Sequence, residues 1–280
     1  MQIQDLHNTL RRALAEDIGA GDHTTLATLP DNRKAQARAL IKADGVLAGV
    51  FVAEQVFRLL EPRITFDVLI NDGSRVQKGD IAFIVSGSVH TLLSGERLML
   101  NLLQRMSGIA TATRKVVDAI GNLPCKVLDT RKTVPLLRAF DKQAVVLGGG
   151  VNHRFGLYDM ILIKDNHVDA AGGIRQALLA TVKYQQEHKL FLPVEIETRN
   201  LDEVQQVLDT GSVTRILLDN MKPDMLRQAV HLVGGRYDTE ASGNIGLHNA
   251  REIAETGVDF LSMGALTHSV EALDISFKIA

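Results

Sequence analysis

Six short stretches of this chain carry side chains that can do chemistry, each at or just after an apolar run. They are Asp129-Thr130-Arg131-Lys132, Lys164-Asp165-Asn166-His167, Glu195 with Glu197, Asp219-Asn220, Ser242-Gly243-Asn244-Ile245-Gly246, and Gly264-Ala265-Leu266-Thr267-His268. Residues 131–167 hold six Lys or Arg against three Asp, a local charge of +3 in a chain of net charge −2. A cationic rim on a near-neutral protein suits a small polyanion. Arg131, Lys132 and Lys164 belong to that rim because they sit at strand ends. Arg138 and Lys142 are one helical turn apart and fit a solvated helix face equally well.

Glu197 and Asp219 fall at corresponding ends of adjacent apolar runs. Two carboxylates facing one cavity can hold Mg²⁺ together with substrate phosphates, or stabilise a developing cation at a sugar carbon. Pairing with a cation across the fold is the plainer alternative. Glu195 shares a strand face with Glu197 by period-two alternation but lies further back. Glycines in the last two loops let backbone N–H groups approach a phosphate. Gly148-Gly149-Gly150 follows a helix, so it is no dinucleotide fingerprint; it serves to end the helix and present His153 and Arg154. Arg105 sits among Leu102, Leu103 and Met106. It is either a snorkelling surface residue or a group that reaches the active site of a second subunit.

The elements that must position these residues have two textures. From about residue 125, β-type runs (Lys126–Leu128, Met160–Ile163, Val194–Ile196, Arg215–Leu218, Tyr237–Ala241, Phe260–Met263) alternate with amphipathic segments. That alternation predicts βαβ units and a parallel sheet. The last four strands recur about every 22 residues, a spacing that suits a (β/α) barrel and an open doubly wound sheet alike. The first hundred residues read as α+β, with a helix over Leu6–Asp17, strands at Ala37–Lys42, Val46–Ala48, Ile64–Val68 and Ile81–Val85, and a helix over Val52–Leu60. A helix from Gly95 to Ile120 contains Gly108, which predicts a break into two helices.

Composition narrows the function classes. A chain of 280 residues suits two domains or one large barrel. Lys plus Arg is 31 and Asp plus Glu is 33, which argues against a nucleic-acid coat. No apolar run is long enough for a membrane span, and Met1–Leu10 has no apolar signal core. The one cysteine, Cys125, excludes an internal disulfide. A cytoplasmic protein with no nucleic-acid or membrane partner is expected.

Taken in order, the motifs resemble those of the quinolinate phosphoribosyltransferases, the carboxylating nicotinate-nucleotide pyrophosphorylases. The matching blocks are Glu16-Asp17-Ile18-Gly19-Ala20-Gly21-Asp22-His23-Thr24-Thr25, Asn101-Leu102-Leu103-Gln104-Arg105-Met106-Ser107-Gly108, Asp129-Thr130-Arg131-Lys132-Thr133, Gly148 to Arg154, Lys164-Asp165-Asn166-His167, Gly257-Val258-Asp259, Gly264-Ala265-Leu266-Thr267-His268-Ser269 and Leu273-Asp274. One departure is Leu136 after Pro135, where many relatives have Gly. The resemblance implies an N-terminal α+β sandwich domain (1–110, joined by the tail 271–280) and a C-terminal, partly open α/β barrel (111–270). It implies transfer of phosphoribosyl from phosphoribosyl pyrophosphate to quinolinate with decarboxylation, a step of NAD biosynthesis. Carried over, Arg105, Thr130, Arg131, Lys132, His153, Arg154 and Lys164 bind quinolinate. Lys132, Glu197 and Asp219 are catalytic, Glu197 and Asp219 hold Mg²⁺, and Ser242, Gly243, Asn244, Gly264 and Ala265 hold the 5′-phosphate. A homodimer or larger homo-oligomer is implied, with Arg105 shared across the interface. Three rivals fit parts of the chain: a ModD-like protein of molybdate operons, a lyase forming a Schiff base through Lys164, and a biotinyl-type carrier around Gly73–Gly79.

Overall fold

The computed structural model describes residues 3–30 and 33–279. Along the chain run α1 (Ile3–Ile18), α2 (His23–Thr28), β1 (Lys34–Ile41), β2 (Gly45–Val46), α3 (Val50–Leu60), β3 (Thr65–Val68), β4 (Arg75–Val76), β5 (Ile81–Ser88) and the long helix α4 (Val89–Ile120). There follow β6 (Lys126–Leu128), α5 (Arg138–Leu147), β7 (Ile161–Ile163), α6 (Asp165–Ala171), α7 (Ile174–His188), β8 (Val194–Thr198) and α8 (Leu201–Thr210). The chain ends with β9 (Arg215–Asp219), α9 (Pro223–Val233), β10 (Asp238–Ser242), α10 (Ala250–Ala254), β11 (Phe260–Ser262), α11 (Ala265–His268) and β12 (Ile275–Ile279). These elements form two compact units. One holds the chain up to Arg114, Thr133–Gly149 and the residues from Thr267; the other holds Lys115–Lys132 and Gly150–Leu266.

The first unit is built on an antiparallel sheet of order β12-β1-β5-β3. Along β1, Ala37, Ala39 and Ile41 are buried while Lys34, Gln36 and Arg38 alternate with them, as a sheet covered on one face requires. Phe57 on α3 stacks on Phe277 of β12 at 5.6 Å, and Phe66 stacks on Phe83 at 4.6 Å. α4 adds Met99, Leu103 and Met106 to this core at helical spacing.

Two expectations are corrected here. α4 is one continuous helix through Gly108. A Cβ at Gly108 would overlap the carbonyl oxygen of Glu271, so the glycine admits the returning tail and does not break the helix. Residues 133–149, assigned above to the barrel, belong to the first unit. The reason is that α5 buries Phe140, Ala144 and Val145 in the core that contains Leu103 and Met106. An amphipathic pattern declares that a helix has an apolar face, not which core receives it.

The second unit is a six-stranded parallel sheet of order β6-β11-β10-β9-β8-β7. Consecutive strands from β7 to β11 are neighbours, and β6 closes round beside β11. β6 and β7 are the two edges, which leaves an open α/β barrel. α8 buries Val204, Val207 and Leu208, and α9 buries Leu226, Ala229 and Val233. The register sets Glu197 beside Leu217 and Ser242 beside Asp219, so polar strand residues collect at the C-terminal ends.

Gly108→Ala separates two effects of opposite sign. Helix propensity alone favours alanine by about 1 kcal/mol, whereas overlap with the tail costs about 1–3 kcal/mol. A lowered unfolding midpoint in urea is expected; a raised one would refute the packing explanation.

Candidate active site

The site is assembled from loops at the C-terminal ends of the parallel strands, where a βα architecture places its chemistry. After β6, Asp129 is fully buried and its carboxylate accepts the His153 N–H at 2.9 Å. Leu128 bridges Val151 in parallel fashion. These two contacts bring the His153-Arg154 loop beside the Thr130-Arg131-Lys132 loop. Thr130 Oγ1 accepts the Lys132 N–H at 3.0 Å and turns that segment, leaving Arg131 and Lys132 exposed. Arg154 Nη1 donates to the Met160 carbonyl at 3.2 Å. Burial, followed by the positive charge of Arg131, holds the Arg154 guanidinium below its ordinary pKa. That repulsion shows two cations converging on one region. Lys164, exposed after β7, caps α6, and its N–H donates to His167 Nδ1 at 3.0 Å.

The carboxylates come from the next two strands. Glu197 is half-buried, and its pKa is pushed up to about 7 by burial first, then by Asp219 and Asp165, with Lys164 and Arg199 opposing. Asp219 Oδ1 accepts the Ser242 hydroxyl at 2.7 Å, and its Oδ2 accepts Asn220 Nδ2 at 2.6 Å. Asn220 Oδ1 in turn accepts Asn244 Nδ2 at 3.1 Å, while the Asn220 N–H donates to the Ser242 carbonyl at 2.9 Å. Asn220, Gly243 and Asn244 all have positive φ, at 54°, 90° and 52°. A Cβ at Gly243 would overlap Asn220 Oδ1, so only glycine allows the loop to close on that amide. Gly264 and Ala265 follow β11, whose end is tied to β6 by the Met263 N–H on the Leu128 carbonyl at 3.0 Å.

Most residues singled out from the sequence therefore lie on the second unit: Thr130, Arg131, Lys132, His153, Arg154, Lys164, Glu197, Asp219, Ser242, Gly243, Asn244, Gly264 and Ala265. Two are placed otherwise than their expected roles suggest. Arg105 belongs to the first unit. Its Nε and Nη2 donate to the two oxygens of buried Asp141 at 2.9 and 2.8 Å, and Nη2 also donates to the Thr267 carbonyl at 3.0 Å. His153 turns its imidazole into the barrel, with Nε2 2.9 Å from Glu195. Sequence reasoning gave no role to Glu240 or Arg215, only a weak claim to Glu195, and named Asn220 without assigning it a role. Period-two alternation back from Asp219 and Ser242 was the available signal, since it places Arg215 and Glu240 on the same strand faces.

One set of three donors among the described residues has metal-site spacing. His153, Glu195 and Glu240 lie close enough to share an ion, but the Arg215 guanidinium already stands 2.8 Å from Glu240. Glu197 and Asp219 offer oxygen donors only, and the repulsion that Asp219 and Asp165 exert on Glu197 is of the kind a hard divalent cation relieves.

The quinolinate phosphoribosyl transferase N-terminal domain model matches residues 22–107, and the C-terminal domain model of that enzyme matches residues 109–278. The chain belongs to the quinolinate phosphoribosyltransferase family. A tobacco quinolinate phosphoribosyltransferase [decarboxylating], named as mitochondrial, is 47% identical over 98% of this chain and 82% of its own length. A probable nicotinate-nucleotide pyrophosphorylase [carboxylating] of Synechocystis is 43% identical over 96% of this chain and 91% of its own. Among solved structures, the nicotinate-nucleotide pyrophosphorylase of Francisella tularensis superposes with a TM-score of 0.94 at 36% identity, covering 100% of this chain and 98% of that one. The N- and C-terminal family models meet inside α4. The cytoplasmic expectation is corrected by these relatives. The tobacco enzyme is named as mitochondrial, and those of Arabidopsis and rice as chloroplastic. Near-neutral charge and a single buried cysteine suit a protein of any of these compartments, so composition does not tell them apart.

Because the folded-state pKa of Glu197 is raised, stability linked to its proton is present at low pH and lost as pH rises toward about 7. Glu197→Gln keeps the uncharged form at every pH. Relative to the parent it is expected to gain stability in urea at pH 8 and none at pH 4; the same difference at both pH values would refute the assignment.

Proposed function

We propose that the polar strand ends of the second unit transfer the phosphoribosyl group of phosphoribosyl pyrophosphate to quinolinate, releasing pyrophosphate and CO₂ and leaving nicotinate mononucleotide. The observation that carries this reading is the Glu197–Asp219 pair at neighbouring strand ends, tied through Ser242 and Asn220 to the Gly243-Asn244 loop.

Quinolinate is a dicarboxylate, and Arg131, Lys132, Arg154 and Lys164 supply the charge to hold both groups. Thr130 fixes the turn that carries Lys132. With the ring so held, the pyridine nitrogen lone pair forms the bond to C1 of the ribose as the C1–O bond breaks and its electrons leave with pyrophosphate. Glu197 and Asp219 stabilise positive charge at C1 in that transition state. Asp219, held by the Ser242 and Asn220 donors, keeps its place; Glu197 becomes the stronger partner once deprotonated. The backbone at Gly243, Asn244, Gly264 and Ala265, with the Ser242 hydroxyl, receives the 5′-phosphate. In the second step the C2–carboxylate bond breaks, its electron pair stays at C2 beside the pyridinium nitrogen, and C2 then takes a proton. Glu197 and Asp219 would hold Mg²⁺, which when bound neutralises the pyrophosphate leaving group. A Schiff-base route through Lys164 needs a desolvated or cation-flanked amine; Lys164 is exposed beside carboxylates.

In a homodimer Arg105 would act on the neighbouring subunit. Its clamp on Asp141 presents the guanidinium in one orientation, which suits recognition of a planar carboxylate. The same clamp alters the choice of variant. Arg105→Ala strands a buried carboxylate at a cost of about 3–5 kcal/mol, so Arg105→Lys is the better probe.

Product formation by the purified protein is expected to require quinolinate, phosphoribosyl pyrophosphate and Mg²⁺ together. Lys132→Ala should lower kcat/KM by about 10²–10³ with its unfolding midpoint intact. Nicotinate, lacking the second carboxylate, should react at least about a hundredfold more slowly. Turnover of nicotinate at a comparable rate would refute the dicarboxylate cradle. Mixing Arg105→Lys with Lys164→Ala subunits tests the shared site: partial recovery of activity supports it, and no recovery despite subunit exchange removes it.

A further inference from the structure

One layer beneath the strand ends, the barrel interior contains a buried ionic cluster that the reaction above does not use. Glu195 and Glu240 are 0% and 1% exposed, and the His153 side chain is 7% exposed. A barrel interior is ordinarily filled by branched apolar side chains, and buried carboxyls are costly unless they are held by partners. Here the partners are specific. His153 Nε2 is 2.9 Å from Glu195 Oε2 and 3.5 Å from Glu240 Oε2. Arg215 Nη1 donates to Glu240 at 2.8 Å while its guanidinium lies 4.0 Å over the Phe260 ring. On its other side, the His153 ring accepts the Arg154 main-chain N–H through Nδ1 at 2.7 Å. A ring whose Nδ1 accepts carries its proton on Nε2, the nitrogen facing the two carboxyls. Both ring nitrogens are thus directed at the protein.

We infer that His153 is a positioning residue for the quinolinate-binding Arg154, and that Glu195, Glu240 and Arg215 are the buried frame that holds its imidazole in one tautomer and orientation. The frame acts through the chain: imidazole to the Arg154 backbone, with the main chain of His153 pinned by Asp129 and the Arg154 guanidinium by Met160. This deepens the reading of Arg154 as a quinolinate ligand and rests on it. It also assigns His153 a place behind the substrate and not against it.

Steady-state kinetics on the full-length protein test this through the division between the two substrates. Glu195→Leu removes the group facing Nε2 and is expected to raise KM for quinolinate at least tenfold, with KM for phosphoribosyl pyrophosphate moving less than twofold. Glu195→Gln, which still offers an oxygen to Nε2–H, should bring the quinolinate value back to within threefold of the parent. Equal rises in both KM values, or no rise in either, overturn the inference. Arg154→Ala separates the two levels: a rise in KM for quinolinate there but not in Glu195→Leu sinks only the frame, and no rise in Arg154→Ala sinks the reading beneath it. Should Glu195→Leu fail to fold, ¹⁵N-histidine NMR of the parent decides. The Nε2–H tautomer of His153 is expected both free and with quinolinate bound; a change of tautomer or protonation on binding would make His153 a direct ligand.

Discussion

Asp219 belongs to two strands at once. Its own strand, β9, ends at it, and the Ser242 hydroxyl at the end of β10 donates to it at 2.7 Å. Asn220 completes the joint by donating to the same carboxylate and accepting from Asn244. Moving any one member would displace both the Asp219 carboxylate and the Gly243-Asn244 loop. The one-residue register between β9 and β10 is therefore the constraint on which the site depends. Positive φ at Asn220 and Asn244 is the local strain beside this register, which glycine at 243 avoids.

Charge is distributed about that joint by strand. The loops after β6 and β7 supply Arg131, Lys132, Arg154 and Lys164, and the ends of β8 and β9 supply Glu197 and Asp219. The cations thus come from the loops after the two edge strands of the open sheet, β6 and β7, and the carboxylates from strands lying between them. Burial and then Arg131 disfavour the charged form of Arg154, against Glu195 and Asp159; burial and then Asp219 and Asp165 disfavour that of Glu197, against Lys164 and Arg199. Like charges of each sign held close together suit ligands of the opposite charge. Below the strand ends, the His153 cluster sets two buried carboxyls against one histidine and one arginine.

The first unit contributes a different kind of order. Its antiparallel sheet takes β12 from the end of the chain as an edge strand beside β1, and Gly108 leaves room on α4 for the segment leading to it. Arg105, on the same helix, is fixed by Asp141 and the Thr267 carbonyl. Its guanidinium is as much part of the packing of α4, α5 and the tail as it is a candidate ligand.

Much of this was legible in the sequence. The β/α alternation after residue 125, the polar residues at strand ends and the ordered motif blocks identified the α/β barrel, the family and the strand ends that carry its charged groups, because strand-end position and residue type are local properties. Leu136, which departs from the family's glycine, sits at φ 66°, in the left-handed region where glycine has no steric penalty. What only the tertiary structure decided were relations between segments far apart in the chain. The period of an amphipathic helix could not reveal that α5 joins the first unit, nor a glycine its purpose at position 108. The direction of His153 and the partner of Arg105 were equally hidden, because a side chain's partner is set by which backbone arrives opposite it, and that is settled only when the whole chain packs.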